Sequence, residues 1–466
     1  MPSWHATTSN RKTPPTTIKS NDMSTIAAIS TPHGVGGIAV VRLSGVDAFT
    51  IASKHLQLPL NGRDIGFSLF HRNDDVLDEV VVSLFHSPHS YTGEDVVEIS
   101  CHGSLYVQQA ILQTLIDSGA TLAQPGEFTR RAFLNGRLNL SQAEAVADLI
   151  DSTNAASHQL AINQLRGGYA QLLAQLRQQL VDLTALLELE LDFSDEDVEF
   201  ADRGQLRSLV SQLQQEVNRL TDSFQLGNAV KNGIPVTIVG RPNAGKSSLL
   251  NALLSDQRAI VSPIPGTTRD TIEENLTIDG LTFRFIDTAG LRHSDDPIET
   301  IGFDRAIKSI QQATVVLIVR DATVSFNDTS MDDIDYLLRD IRQKEKIIFI
   351  VHNKADLVPP PYPPGIAISA LTGMGVDELK LNIVKAVRER MPGSDGAMLT
   401  NLRHYQALRQ VSASLDEVAQ GLDSGLPADL VAIDLRNALY HLGSITGEVS
   451  SDEVLGTIFS RFCIGK

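Results

Sequence analysis

Between Ser24 and about Asn139, short alternating or β-branched runs such as Gly37 to Leu43 and Glu79 to Phe85 flank one stretch, Leu105 to Asp117, with apolar positions at helical spacing. That mixture predicts an α+β domain. Its Gly34, Gly36 and Gly37 do not match a dinucleotide fingerprint and read as turn glycines. At Ser141-Gln142-Ala143-Glu144 a Ser followed three residues later by Glu predicts a capping box that opens a long helical region. Leu and Ala then recur at helical spacing through Leu191, with a break at Gly167-Gly168, and again from Leu206 to Phe224. The acidic stretch Glu188 to Glu199 between them reads as a solvated connection or a dock for a basic partner.

Near Asn232 the pattern changes. The apolar run Pro235 to Val239 reads as a strand, Ser248 to Leu254 as a helix, and Asp279-Gly280 as the turn of a hairpin between the second and third strands of this region. After Pro392-Gly393-Ser394-Asp395-Gly396, helical periodicity returns from Leu402 to the C-terminus, where Ser450 and Glu453 predict the cap of a last helix. Helical segments on both sides predict an inserted domain. The expected organisation is a polar tail over 1–22, an α+β domain over 23–140, a helical part over 141–231, the inserted domain over 232–391 and a second helical part over 392–466.

With 466 residues, two to four domains are expected. A net charge of −17 argues against gripping nucleic acid through a broad basic surface, so any RNA contact is local or partner-assisted. Two cysteines, Cys101 and Cys463, argue for a reducing compartment rather than a disulfide scaffold. No apolar run has the length to span a bilayer, which predicts no membrane association. The first 22 residues, polar and weakly basic, read as a disordered tail, an organelle transit segment, or an extension ahead of a start at Met23.

Candidate chemistry concentrates in the inserted domain. Gly240-Arg241-Pro242-Asn243-Ala244-Gly245-Lys246-Ser247, with Ser248 behind it, has phosphate-loop spacing in a strand-loop-helix context. Glycines let backbone N–H groups approach a polyphosphate, Lys246 adds a point charge, and the Ser247 hydroxyl suits Mg²⁺. Downstream, in order, come Ser262-Pro263-Ile264-Pro265-Gly266-Thr267-Thr268, then Asp287-Thr288-Ala289-Gly290, then Asn353-Lys354-Ala355-Asp356, then Ser369-Ala370-Leu371. Thr268 can close on Mg²⁺ and the γ-phosphate, Asp287 can hold the Mg²⁺ shell, and the Gly290 N–H can sense the γ-phosphate. Asp356 selects guanine, whose N1–H and 2-amino group donate a pair of hydrogen bonds that adenine lacks. The Ala370 N–H meets the guanine oxygen and the Lys354 stem covers the ring. This set predicts a GTPase.

One absence is informative. Where Ras-like GTPases carry a water-orienting glutamine, this chain has Leu291, so another group must assist hydrolysis. The Asn243 side-chain oxygen can coordinate a monovalent cation beside the β and γ phosphates, with the Ser262 and Ile264 carbonyls and the Thr267 hydroxyl completing the shell of a K⁺. Asn243 equally suits a purely structural turn. Cys463, in Phe462-Cys463-Ile464-Gly465-Lys466, is either a chemical thiol or a small core residue. His86, His89, Cys101 and His102 match no zinc spacing and read as loop and core residues.

Taken together, these pieces resemble the tRNA modification GTPase family MnmE, also called TrmE, from about Ser24 to Lys466. The matching stretches include Thr31-Pro32, Gly36-Gly37, Arg42, Ser90-Tyr91-Thr92-Gly93-Glu94-Asp95, His102-Gly103, Pro125-Gly126-Glu127-Phe128-Thr129, Arg131 to Gly136, the nucleotide motifs, and Cys463-Ile464-Gly465-Lys466. The resemblance implies a multidomain α/β protein: an N-terminal α+β folate-binding-like domain, an α-helical domain, and an inserted Ras-like P-loop GTPase domain. It implies homodimerisation through the N-terminal domain and binding of 5-formyltetrahydrofolate by Arg42, Glu98, Arg137 and Lys466. Without the family, Arg42 is a strand-end residue and Glu98 a structural ion pair.

The resemblance further implies K⁺-dependent, Mg²⁺-assisted GTP hydrolysis on pairing of the GTPase domains, with Glu299 orienting the attacking water; read alone, Glu299 is an exposed acid. A FAD- and NADH-dependent MnmG-like subunit completes a heterotetramer that places an aminomethyl or carboxymethylaminomethyl group on C5 of wobble uridine 34 of tRNA. The one-carbon unit comes from the folate, Cys463 assists, and the setting is cytoplasmic, or organellar if the tail is a transit segment. This chain departs from the family in Pro263 and Pro265, in Arg137 where lysine also occurs, and in its 22-residue tail. A ribosome-assembly or signalling GTPase would need a basic RNA-binding appendage, which the sequence lacks; a folate-dependent methyltransferase with a regulatory GTPase is the other rival.

Overall fold

The computed structural model describes residues 24–57, 63–192, 203–255, 274–286, 307–324, 346–362, 364–391 and 398–465. These fall into two units, one built from residues up to Leu138 together with Ser451 onward, the other from Asn139–Ser450. The first unit carries β1 (Ile26–Ile29), β2 (Gly36–Ser44), α1 (Ala48–Ser53), β3 (Ile65–Arg72), β4 (Asp75–Phe85), β5 (Val96–Gly103), α2 (Leu105–Asp117), β6 (Thr121–Leu122) and α3 (Glu127–Leu134). Its sheet runs β3-β4-β5-β2-β1-β6, antiparallel except for the parallel β1–β6 pair. Alternating inward residues, among them Val41, Leu43, Val82, Val97 and Ile99, pack under Ile111 and Leu115 of α2. Gly36 and Gly37, expected in a turn, instead open β2, where Gly36 faces Gly103 across the β2–β5 ladder.

The end of the chain belongs to this unit, although its helical pattern reads as a continuation of the second helical part. The C-terminal helix, Asp452–Phe459, is capped by Ser451, whose Oγ accepts from the Val454 N–H, one residue beyond the expected Ser450. Phe459 packs near Phe133 and Phe462, with ring centroids 6.5 Å and 5.4 Å away. Beyond it, the Gly126 N–H donates to the Cys463 carbonyl at 3.3 Å and Ser30 Oγ to the Gly465 carbonyl at 3.1 Å. Gly465 has φ +96°, and a Cβ there would stand 2.4 Å from the Ile29 oxygen. Only glycine fits this approach.

In the second unit come α4 (Leu140–Asp151), α5 (Ala155–Leu165), α6 (Gly168–Asp192), α7 (Arg203–Asp222), α8 (Phe224–Asn232), β7 (Ile234–Gly240), α9 (Lys246–Leu254), β8 (Glu274–Ile278), β9 (Leu281–Phe285), β10 (Val315–Asp321), β11 (Ile347–Asn353), β12 (Ile366–Ala367), α10 (Val376–Arg390), α11 (Leu402–Asp423) and α12 (Ala428–Thr446). Leucines at helical spacing on α6, α7, α11 and α12 fill one core. The sheet order is β12-β11-β10-β7-β9-β8, parallel except for the β8–β9 hairpin, whose turn residues Asp279 and Gly280 have φ +48° and +77°. The capping box of α4 is Asn139 with Gln142, two residues before the expected Ser141 and Glu144. Glu144 is free for another use. Its carboxylate accepts two bonds from Arg403 at 2.9 Å and meets His404 Nε2 at 2.6 Å, tying α4 to α11.

Within this unit the helical scaffold grips the sheet through α5. Asn154 Nδ2 donates to Thr282 Oγ1 at 3.0 Å, and the Ala156 N–H donates to the Gly280 carbonyl at 3.1 Å. Among the described residues no helix is long and apolar enough to cross a membrane.

Candidate functional site

β7 leads into the phosphate loop at Gly240, and α9 leaves it at Lys246, so the loop sits at the C-terminal end of a buried parallel strand and the N-terminus of a helix. Backbone N–H groups at such a terminus attract anions. The Lys246 ammonium donates to the carbonyls of Gly240 and Arg241 at 3.0 Å and 2.8 Å, and burial lowers its pKa. A phosphate oxygen restores the desolvated charge more fully than these two carbonyls do. Asn243 is exposed with φ +60°, Ala244 is buried, Ser247 is half-buried in the first turn of α9, and Ser248 is exposed beside it.

Asn353, at the end of β11 and 3% exposed, joins the motifs. Its Nδ2 donates to the Ala244 carbonyl at 2.9 Å and its Oδ1 accepts from the Ala370 N–H at 2.9 Å. One carboxamide therefore fixes the phosphate loop against the base-side loop. A Cβ on Gly245 would stand 2.0 Å from Asn353 Nδ2, so this contact requires glycine as well as its φ of +90°. Lys354 has φ +65° and its ammonium pairs with Asp321 Oδ2 at 2.5 Å. Asp356 is exposed in the turn Ala355–Leu357, where its carboxylate is available to a base; Ala355 is buried. Ser369 is fully buried and its Oγ accepts from the Thr372 N–H at 3.2 Å, shaping the loop that presents Ala370 and Leu371, the latter 90% exposed. Ser262, Pro263, Ile264, Pro265, Gly266, Thr267, Thr268, Asp287, Thr288, Ala289, Gly290, Leu291, Glu299 and Lys466 lie outside the described residues.

A second constellation forms in the first unit. Arg42 on β2 and Glu98 on β5 are register partners, with Nε and Nη2 of the arginine 2.8 Å and 2.6 Å from Glu98 Oε1. The Arg42 guanidinium also lies 5.5 Å from the ring centres of both Tyr91 and Phe128. Tyr91 is bonded to Thr129 Oγ1 at 2.8 Å, and burial raises its pKa. Arg137 is exposed at the end of α3, its stem against Gly93. The tail adds Cys463, whose thiol-bearing residue is exposed rather than part of the core, beside Gly126 at the start of α3. Arg42 thus reaches Phe128 of α3, Arg137 follows the C-terminal end of α3, and the Cys463 carbonyl is bonded ahead of its N-terminal end.

Sequence reasoning missed the residues behind them. Arg131, 6% exposed, reaches both carboxylate oxygens of Glu94 at 3.2 Å and Glu127 Oε1 at 2.9 Å. Its i,i+4 spacing from Glu127 was legible; the bond to Glu94 depends on how the loop folds back. Among the described residues no cluster of His, Cys, Asp and Glu has metal-holding geometry. Cys101 is buried on β5 with its pKa pushed up to about 11 by burial and by Asp78, which also binds His102 Nδ1 at 2.7 Å.

A family model described as the MnmE helical domain matches residues 140–463, and one described as the GTP-binding protein TrmE N-terminus matches residues 25–137. A tRNA modification GTPase MnmE of Parabacteroides distasonis is 47% identical over 466 residues, covering 95% of this chain and 100% of the relative. The protein of that name from Cytophaga hutchinsonii is 47% identical over 467 residues, covering 97% and 100%.

Proposed function

Because the chain belongs to the MnmE (TrmE) family, we propose that it is a K⁺-dependent GTPase that, with a FAD-dependent MnmG-like partner, modifies C5 of wobble uridine 34 of tRNA using a folate one-carbon unit. The bridge made by Asn353 between phosphate loop and base-side loop carries the nucleotide half of this reading. Lys246 and the loop N–H groups bind and orient the phosphates, and Asp356 takes the donor pair of guanine. Ser247 and Thr268 would hold Mg²⁺, and Asn243, Ser262, Ile264 and Thr267 would hold K⁺. The exposed oxygen of Asn243 and the helix-start hydroxyl of Ser247 suit such hard cations. When bound, these ions supply positive charge where the departing phosphate builds up negative charge. Glu299 orients the attacking water in place of the glutamine that Leu291 replaces.

The folate half rests on chemistry that fits the Arg42 site. Tyr91, half-buried, offers an aromatic edge to a planar ring, Glu98 accepts from pterin N–H groups, and Arg42, Arg137 and Lys466 attract the glutamate carboxylates. Cys463, exposed beside α3, is available to assist one-carbon transfer. Dimerisation is supported by edge strand β3, whose Ile65, Phe67 and Leu69 are exposed on alternate positions. The acidic net charge of −17 suits a division of labour in which the partner supplies most of the tRNA grip in the cytoplasm. The experiment is GTP turnover by the purified chain in KCl against NaCl. Much faster turnover in K⁺ is expected; equal rates would refute the cation role.

A further inference from the structure

We propose that Arg131 is a positioning residue of the Arg42–Glu98 site: it rivets the loop of residues 90–95 onto α3 so that Tyr91 and Phe128 hold the Arg42 guanidinium ready for an anionic folate group. The inference rests on the folate reading of that site. Arg131 points away from solvent into two carboxylates, one on the loop (Glu94) and one on its own helix (Glu127). Each carboxylate has a further donor: Ser44 Oγ bonds Glu94 Oε2 at 2.7 Å and the Gln124 N–H bonds Glu127 Oε2 at 2.7 Å. Ser44 also meets Thr92 Oγ1 at 2.7 Å, and Asn135 Nδ2 donates to the Thr92 carbonyl at 2.7 Å. The loop is therefore pinned at Thr92 and Glu94, on either side of Gly93 and directly after Tyr91.

The consequence reaches Arg42 through two rings on two different elements. Phe128 is fixed by α3 and fully buried; Tyr91 is held by its own bond to Thr129 and by the loop, which Arg131 clamps at Glu94 together with the Ser44 and Asn135 bonds. Loosening the Glu94 side of the loop lets Tyr91 shift and slackens one of the two rings that hold Arg42. A guanidinium free to swing loses the pre-organisation that an incoming carboxylate would otherwise exploit.

The test is a double-mutant cycle in the full-length chain, read as affinity for 5-formyltetrahydrofolate by isothermal titration calorimetry. Arg131→Lys keeps the charge but cannot bridge both carboxylates, and Tyr91→Leu removes the ring. Each is expected to weaken binding on the order of tenfold, the scale of one charge-assisted hydrogen bond. Because both act through the same guanidinium, the double variant is expected to lose about as much as either single one. Losses that multiply, or no loss for Arg131→Lys, would overturn the positioning role. Wild-type chain that binds no folate at all would overturn the ligand reading itself, a result visible before any variant is made. If Arg131→Lys does not fold, Glu94→Gln weakens the same clamp from the loop side and takes its place in the cycle.

Discussion

Replacing Asn353 by alanine removes a side chain that bonds both the phosphate loop and the base-side loop. Two hydrogen bonds of 2.9 Å are lost, and the Ala244 carbonyl and Ala370 N–H lose their partner. Each bond contributes about 1 kcal/mol net, rising to about 2 kcal/mol where its loss leaves a buried or half-buried group without a partner. The sum is roughly 2–4 kcal/mol, and it falls on nucleotide affinity to the extent that enclosing a nucleotide needs the two loops held in this geometry. At about 1.4 kcal/mol per tenfold, GDP binding should weaken between roughly thirtyfold and several hundredfold. Titration calorimetry with GDP and Mg²⁺ reads this directly, with a thermal melt showing whether the fold survives. An affinity within about threefold of wild type, in a folded variant, would refute the claim that Asn353 organises the site.

Further outcomes can be checked separately. The Glu144 carboxyl, pushed up by burial but outweighed by His404 and Arg403, sits at about 2, below its ordinary 4.5. A depressed carboxyl stabilises the fold above its ordinary pKa and loses that contribution as pH falls from about 4.5 to about 2. Glu144→Gln should therefore be less stable than wild type at neutral pH in urea titrations, with the gap closing across that window; a pH-independent gap contradicts the assignment. Gly465→Ala places a methyl 2.4 Å from the Ile29 oxygen, so amide hydrogen exchange over residues 451–465 should accelerate, and unchanged exchange would show that the tail is not locked there. Glu299→Ala should slow GTP hydrolysis while leaving GTP affinity nearly intact, and a large loss of binding would make Glu299 structural.

How much of this was legible depends on the range of the interaction. α2 falls on Leu105–Asp117 as its apolar spacing predicts, and the Asp279-Gly280 hairpin follows from residues that tolerate positive φ. The nucleotide motifs were legible because each residue type is dictated by chemistry the loop must perform. The caps slipped by one or two residues because Ser, Asn and Gln near a helix start compete for the same N–H groups, and Asn139 wins over Ser141. Contacts between distant segments left no local trace. Glu144 meets His404 260 positions away, and Gly465 meets Ser30 435 positions away. Arg131 was visible as part of a motif, yet its partnership with Glu94 depends on tertiary folding of the loop.

Nucleoside mass spectrometry of tRNA from a strain lacking this gene reads what the chain does to its RNA substrate. C5-modified wobble uridines are expected to disappear and to return when the wild-type chain is restored, but not when an Asn353→Ala chain is. Wobble uridines unchanged by the deletion would contradict the proposed function.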